Sequence, residues 1–210
     1  MAFVAGEGGR QIIALDESEY AAYGPDWTVN WPLVFSETGS VVACRLTSRA
    51  STRACIGANG RRGEEYDRVG PPALSRDGSH VAYRAHPGER FFVVVDGVRG
   101  PEFEFMSDPA ISADGKVVAY GAKEKDGWTL VVGDRRSPMD HKPSYVFLSP
   151  DGRRVAYAAD EGGRQFVVVG GKKFEVAGRE CDPVFGADGR RVGYGARIGR
   201  EFWWKTLDAP

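Results

Sequence analysis

Two tryptophans, Trp27 and Trp31, stand in the polar, Pro-bounded stretch from Gly24 to Pro32. Two indoles in one loop could form an aromatic platform for a peptide or a sugar. His86 with Glu89, the mixed run Lys123 to Asp126, His141 with Tyr145, and Arg179 with Glu180 and Asp182 add the side chains a polar recognition surface uses. Trp27, Trp31, His86, His141, Tyr145 and Arg179 are therefore the candidate partner-binding residues. No catalytic residue is assigned. The three histidines, His80, His86 and His141, do not recur at one position, and no serine sits in a Gly-x-Ser-x-Gly elbow. Carboxylates are plentiful, but no particular pair stands out as the acid and base of a glycosidase. Cys44, Cys55 and Cys181 are too few for a disulfide framework and have no partners at metal-ligand spacing. Cys44 and Cys55 flank one predicted hairpin and read as small buried apolar residues. Asp108-Pro109 and Asp182-Pro183 read as turn caps that fix the start of a strand rather than as a ring of cation ligands. The expectation is no metal and no cofactor.

The elements that position these residues come from one repeated phrase. Leu148 to Tyr157 reads Leu-Ser-Pro-Asp-Gly-Arg-Arg-Val-Ala-Tyr, an apolar strand, an Asp-Gly turn and a second apolar strand, which is a hairpin signal. It returns at Leu74 to Tyr83, Ile111 to Tyr120 and Phe185 to Tyr194, and more weakly at Phe35 to Cys44. The strong copies are 37 residues apart and the weak one lies 39 before the first of them. With A and B as the arms of this hairpin, each unit continues into a C strand, a Gly-containing turn such as Asn59-Gly60 or Asp96-Gly97, and a D strand. In the best-defined unit A is expected at Ala73 to Ser75, B at His80 to Ala85, C at Phe91 to Val95 and D at about Glu102 to Met106.

Runs such as Phe-Phe-Val-Val-Val at 91 to 95 do not alternate apolar with polar, so both faces of these strands should be covered. Four-stranded antiparallel sheets recurring at this period, each packed between two others, describe the blades of a β-propeller. The expected fold is all-β, a single propeller domain over residues 1–210, with repeats near 1–32, 33–70, 71–107, 108–144, 145–180 and 181–210. The strands number five A, six B, six C and five D. Six blades, the first lacking its A strand and the last its D strand, is the favoured count; five blades closed by strand exchange is the alternative. Tyr83, Tyr120, Tyr157 and Tyr194 share one B-strand position, and such repetition reads as packing between blades.

The phrase Ser-Pro-Asp-Gly-Arg-Arg-Val-Ala-Tyr, followed by Phe-Val-Val-Val-Asp-Gly and Glu-Tyr-Asp-Arg-Val-Gly-Pro-Pro type segments, resembles the WD-like propeller repeat of TolB-type proteins. The resemblance covers nearly the whole chain and implies the fold. The family it points to includes periplasmic scaffold proteins and peptidase-associated propellers. The Gly-His and Trp-Asp marks of the eukaryotic WD repeat are absent.

Formal charge is -1 and the pI is about 6.3, with acids and bases interspersed. That balance lacks the basic excess of a nucleic-acid surface. No apolar run approaches the roughly 18 residues of a membrane span. The first ten residues lack a basic head and an apolar signal core, so the chain as given reads as cytoplasmic, or extracytoplasmic if a segment precedes it. The D-to-A and B-to-C connections share one face of a propeller and carry the longer, more varied loops, where binding usually resides. The expected function is thus a non-enzymatic scaffold that binds a protein or peptide through that face. One alternative is a carbohydrate-active hydrolase or lyase with carboxylates at the channel mouth. The other is a partial propeller that self-associates through its unmatched terminal strands.

Overall fold

The computed structural model describes residues 2–15, 18–176, 183–198 and 200–209, and among them there is no helix. They form six antiparallel sheets. The first holds β1 (Ala2–Glu7), β2 (Arg10–Leu15) and β3 (Ser18–Tyr23). The second holds β4 (Trp27–Phe35), β5 (Val42–Ser48), β6 (Ala54–Ala58) and β7 (Arg61–Arg62). In the third are β8 (Arg68–Val69), β9 (Ala73–Leu74), β10 (Val81–His86), β11 (Phe91–Val95) and β12 (Val98–Phe103). In the fourth are β13 (Phe105–Met106), β14 (Ala110–Ile111), β15 (Val118–Glu124), β16 (Gly127–Val132) and β17 (Arg135–Met139). The fifth contains β18 (Pro143–Leu148), β19 (Val155–Glu161), β20 (Arg164–Val169) and β21 (Lys172–Val176). The sixth contains β22 (Val184–Phe185), β23 (Arg191–Ile198) and β24 (Glu201–Asp208). Among the described residues the first sheet has three strands, β1 to β3, and the sixth has three, β22 to β24. The chain packs as two compact units, Met1–Glu102 and Phe103–Pro210.

Each sheet is a meander whose turns are set by local chemistry. Between C and D strands, Asn59 and Gly60 have φ of 45° and 75°, and Asp96 and Gly97 have 51° and 83°. Two consecutive positive φ values define the tight turn whose twist matches paired strands. The Asp-Gly phrase closes differently, as a four-residue loop. In the third sheet Ser75 N–H donates to His80 O at 3.0 Å and Gly78 N–H to Ser75 O at 3.0 Å. Ser112, Ser149 and Ser36 repeat both bonds in their own sheets. The serines at this position are buried, and their hydroxyls hold the loop from within. Ser75 Oγ donates to Asp77 Oδ1 at 2.8 Å and accepts from His80 N at 3.0 Å.

These loops also join neighbouring sheets inside each unit. Ser40 Oγ donates to Asp77 O at 3.1 Å, and Ala113 N–H to Pro150 O at 2.9 Å. A Cβ on Gly78 would lie 2.4 Å from Val41 Cβ, and one on Gly152 2.9 Å from Val117 Cγ2. Only glycine admits both this approach and φ near +70°.

Both faces of the central strands are covered, as their sequences require. In the first unit Ile13, Tyr23, Trp27, Val42, Cys44, Leu46 and Cys55 form one core. Ala43, from the opposite face of β5, joins Ile56, Tyr66, Tyr83, Phe92 and Val94 in a second. In the other unit Val167, Val169, Val192 and Tyr194 form a third.

Two strand assignments are corrected. The D strand expected at Glu102 to Met106 is β12, which starts directly after the Asp96-Gly97 turn; Phe105 and Met106 belong to the next sheet, with Phe105 opposite Lys123. Outer strands are exposed and polar, with Val98 at 71% exposure, so they carry no apolar signature. The stretch taken as a loop from Gly24 to Pro32 is strand from Trp27 onward. Its polar residues are accommodated because register with β5 breaks between Asn30 and Val34.

Candidate functional site

On β4, Trp27 lies opposite Ser48 and is 6% exposed, with the Arg62 guanidinium 4.7 Å from its ring centroid. Trp31, within the register break, is 62% exposed. Asn30 spans the irregularity, donating from Nδ2 to Thr28 O at 2.9 Å and Thr47 Oγ1 at 3.0 Å. The two indoles therefore have opposite environments and form no platform: Trp27 is a core residue, and Trp31 meets solvent. A second interrupted strand, β18, shifts register between Pro143 and Val146. There Tyr145 is 51% exposed, its ring 6.5 Å from that of Phe147.

His86 closes β10 and stacks on Phe91, ring centroids 4.2 Å apart at 32°. Its Nδ1 is buried without a hydrogen-bond partner. Burial first, and then the Arg68 charge, push its pKa below the usual imidazole value. The histidine is thus held towards its neutral form. His141 Nε2 accepts from Lys173 Nζ at 2.6 Å and lies 3.7 Å from Glu161. Lys173 also faces Asp140 at 3.8 Å and Glu161 at 3.6 Å, making a mixed-charge cluster around a half-buried imidazole. Arg179, with Glu180, Cys181 and Asp182, lies outside the described residues.

Tyr83 and Tyr120 are buried against Tyr66 and Phe103, so the repeated tyrosine at those positions packs neighbouring strands. Cys44 and Cys55 are buried free thiols, and burial pushes them up to about 11 and about 12. Among the described residues no group of three or more His, Cys, Asp or Glu is arranged to hold a metal ion.

Three features escaped sequence reasoning. Glu64 accepts from Tyr66 Oη at 2.8 Å and pairs with Arg99, whose guanidinium lies 5.3 Å from both the Tyr66 and Phe92 ring centroids. Trp203 and Trp204 on β24 are 52% and 65% exposed; the pair Trp-Trp was visible, but its environment was not. A cavity of about 360 Å³ in the second unit is lined by Leu130, Met139, Tyr157, Arg135, Arg153 and Arg154 among others. It lies beside the Asp-Gly and Gly-Gly turns, away from the expected binding face.

No family model matches the chain, and no curated protein matches it. Solved structures do. TolB from Acinetobacter baumannii is 16% identical with a TM-score of 0.54, over 99% of this chain and 60% of that one. An oligogalacturonate lyase in complex with manganese is 12% identical with a TM-score of 0.62, over 100% of this chain and 74% of that one. The β-propeller domain of the Trilobed protease from Pyrococcus furiosus, of open velcro topology, is 14% identical with a TM-score of 0.55, over 87% and 69%. At these identities the likeness defines the fold alone, a β-propeller. The chain spans 60% of the length of TolB. No helix among the described residues is long and apolar enough to cross a membrane.

Proposed function

We propose that this chain is a non-enzymatic propeller scaffold that binds a protein or peptide through its D-to-A and B-to-C loop face, its six sheets acting as blades. The observation that carries this reading is the exposure of Trp31 on β4, an A strand that breaks register in the first unit; Tyr145 on β18 repeats the feature within the second unit. A large aromatic side chain held half in solvent on a rigid strand gains most from a partner that removes its water, at little entropic cost. His86, at the end of β10 in the first unit, and His141, just before β18 in the second, each supply a polar group to their own loops.

Affinity capture from the native host with immobilised wild-type chain, Trp31→Ala, Tyr145→Ala and the double variant tests this. The expected result is a partner retained by wild type, weakened by at least one single change and lost in the double, at unchanged melting temperature. A partner indifferent to both changes would remove the reading. Because the lyase shares the fold, incubation with oligogalacturonate and manganese is the companion assay. Appearance of unsaturated product would replace binding with catalysis.

The arginine-lined cavity favours a second reading, an acidic peptide seated over Leu130 and Met139 with its carboxylates on Arg135 and Arg153. Glu substitution at both arginines would abolish capture in this case, while Trp31→Ala would leave it intact.

A further inference from the structure

We propose, resting on the acidic-peptide reading, that the cavity between the fourth and fifth sheets is a socket for one aromatic side chain of that peptide. Carboxylates of the flanking peptide residues then meet Arg135 and Arg153 at its rim. Leu130 and Val132 of β16 and Ser137 and Met139 of β17 line the cavity from one side, Val155 and Tyr157 of β19 from the other. Successive residues of a strand point to opposite faces, and partners across a ladder share one. Leu130 lies opposite Ser137 and Val132 opposite Arg135, so these four side chains form a single wall.

Comparison with the next pair of sheets in the same unit shows that the space is that of a missing ring. Tyr120 lies opposite Val131 and Tyr157 opposite Val168, so Leu130 and Val132 occupy the positions of Val167 and Val169. Val167 lies opposite Phe174, which makes Phe174 the counterpart of Ser137. Phe174 packs against the core that contains Val167, Val169 and Tyr194. There the two valines are 0% exposed and Tyr194 4%. With serine in place of that ring, Leu130, Val132 and Tyr157 are all left half-buried. Tyr83 and Tyr120, at the same repeat position, are buried, so the gap singles out Tyr157. The cavity of about 360 Å³ has room for a ring and the atoms beside it. That is the small end of the roughly 300–1,000 Å³ of ligand pockets.

The rim supplies the charge. Arg135, Arg153 and Arg154 border the cavity, and none of its described lining residues is acidic. Arg154 pairs with Asp151 at 3.7 Å, while Arg135 and Arg153 make no ion pair among the described residues. An apolar floor edged by guanidiniums matches an aromatic residue flanked by Asp or Glu. The ring leaves water against Leu130, Met139 and Tyr157, and the guanidinium forks hold the carboxylates. A neutral aromatic peptide leaves the arginines unmet, and an acidic peptide with no ring leaves the floor wet.

Isothermal titration calorimetry of the 210-residue chain with the N-acetylated, C-amidated peptides Glu-Glu-Phe-Glu-Glu and Glu-Glu-Ala-Glu-Glu tests the socket. The Phe peptide should bind at least about tenfold more tightly, the effect expected for removing one ring from water. Ser137→Phe, which supplies the ring found at position 174, should erase that difference and raise the melting temperature. If circular dichroism shows that Ser137→Phe fails to fold, Ser137→Leu takes its place. Arg135→Gln combined with Arg153→Gln should weaken both peptides. Equal binding of the two peptides would overturn the aromatic socket and leave the acidic-peptide reading standing. Binding of neither at millimolar concentration would remove both. Tighter binding of the Phe peptide that survives Ser137→Phe, or that is indifferent to the arginine changes, would overturn the proposal as well.

Discussion

The buried serine of the Asp-Gly loop does more than its size suggests. Its hydroxyl accepts from one backbone N–H and at the same time donates to the turn aspartate: Ser149 Oγ donates to Asp151 Oδ1 at 2.5 Å and accepts from Arg154 N–H at 2.9 Å. Asp77, which accepts from the backbone and hydroxyl of Ser79 and from Ser75, is held down to about 2. The Ser112 and Ser149 hydroxyls, with the backbone N–H groups of Lys116 and Arg153, lower Asp114 and Asp151 in the same way. A carboxylate depressed in the folded state stabilises it above the unfolded pKa of about 4, and that stabilisation is lost as pH falls towards the folded value. Urea midpoints should therefore decline between about pH 4 and pH 2. Ser75→Ala should reduce that decline and cost about 1 kcal/mol at neutral pH by removing the hydroxyl that accepts from the part-buried His80 N–H. An unchanged acid profile in Ser75→Ala would contradict the assignment. The cysteines allow a second check. Cys44 and Cys55, fully buried with raised pKa values, should resist a disulfide reagent at pH 8 in the folded chain and react at once in denaturant. Peptide mapping reads the two sites separately.

At the scale of elements, strand register decides which side chains are structural. Trp27 and Trp31 look alike in sequence, yet the register break after Asn30 leaves one in the core and the other in solvent. Trp27→Ala should cost about 3–5 kcal/mol, and Trp31→Ala should fall within about 0.5 kcal/mol of wild type in urea denaturation. Equal costs would mean that β4 packs otherwise. Close sheet packing makes a further demand at Gly57, where a Cβ would lie 2.6 Å from Tyr23 Oη and 2.8 Å from Leu46 Cδ1, both in the core. Gly57→Ala should therefore destabilise by about 1–3 kcal/mol through overpacking. A melting temperature unchanged from wild type would show that the core yields there. The central strands were legible because their apolar runs are buried on both faces, and the inner ones because they lead into the repeated Asp-Gly turn. The D strand of the third sheet was misplaced because residues such as Val98 and Arg99 face solvent and have no pattern to read.

For the whole molecule, regularity and function occupy different places. Within each unit the repeated phrase builds loops that join neighbouring sheets, and the repeated Tyr83 and Tyr120 fill cores. What breaks the pattern is exposed: Trp31 and Tyr145 at interrupted A strands. A scaffold of this kind predicts that changes at the irregular positions alter binding with little effect on melting, whereas changes in the phrase lower melting. Paired thermal and binding measurements on Trp31→Ala and Gly78→Ala check this. At Gly78, φ of 75° and the approach of Val41 leave no room for a methyl group.

The sequence by itself determined the repeat and the covering of both faces of the central strands, because period and apolar runs are local properties of the chain. Tertiary structure decided the rest. Whether Trp27 is core and Trp31 surface depends on a register break with β5, and whether Tyr157 is covered depends on the side chain that β17 sets opposite Leu130. Neither is written in the identity of the residue, because burial belongs to what packs against a side chain.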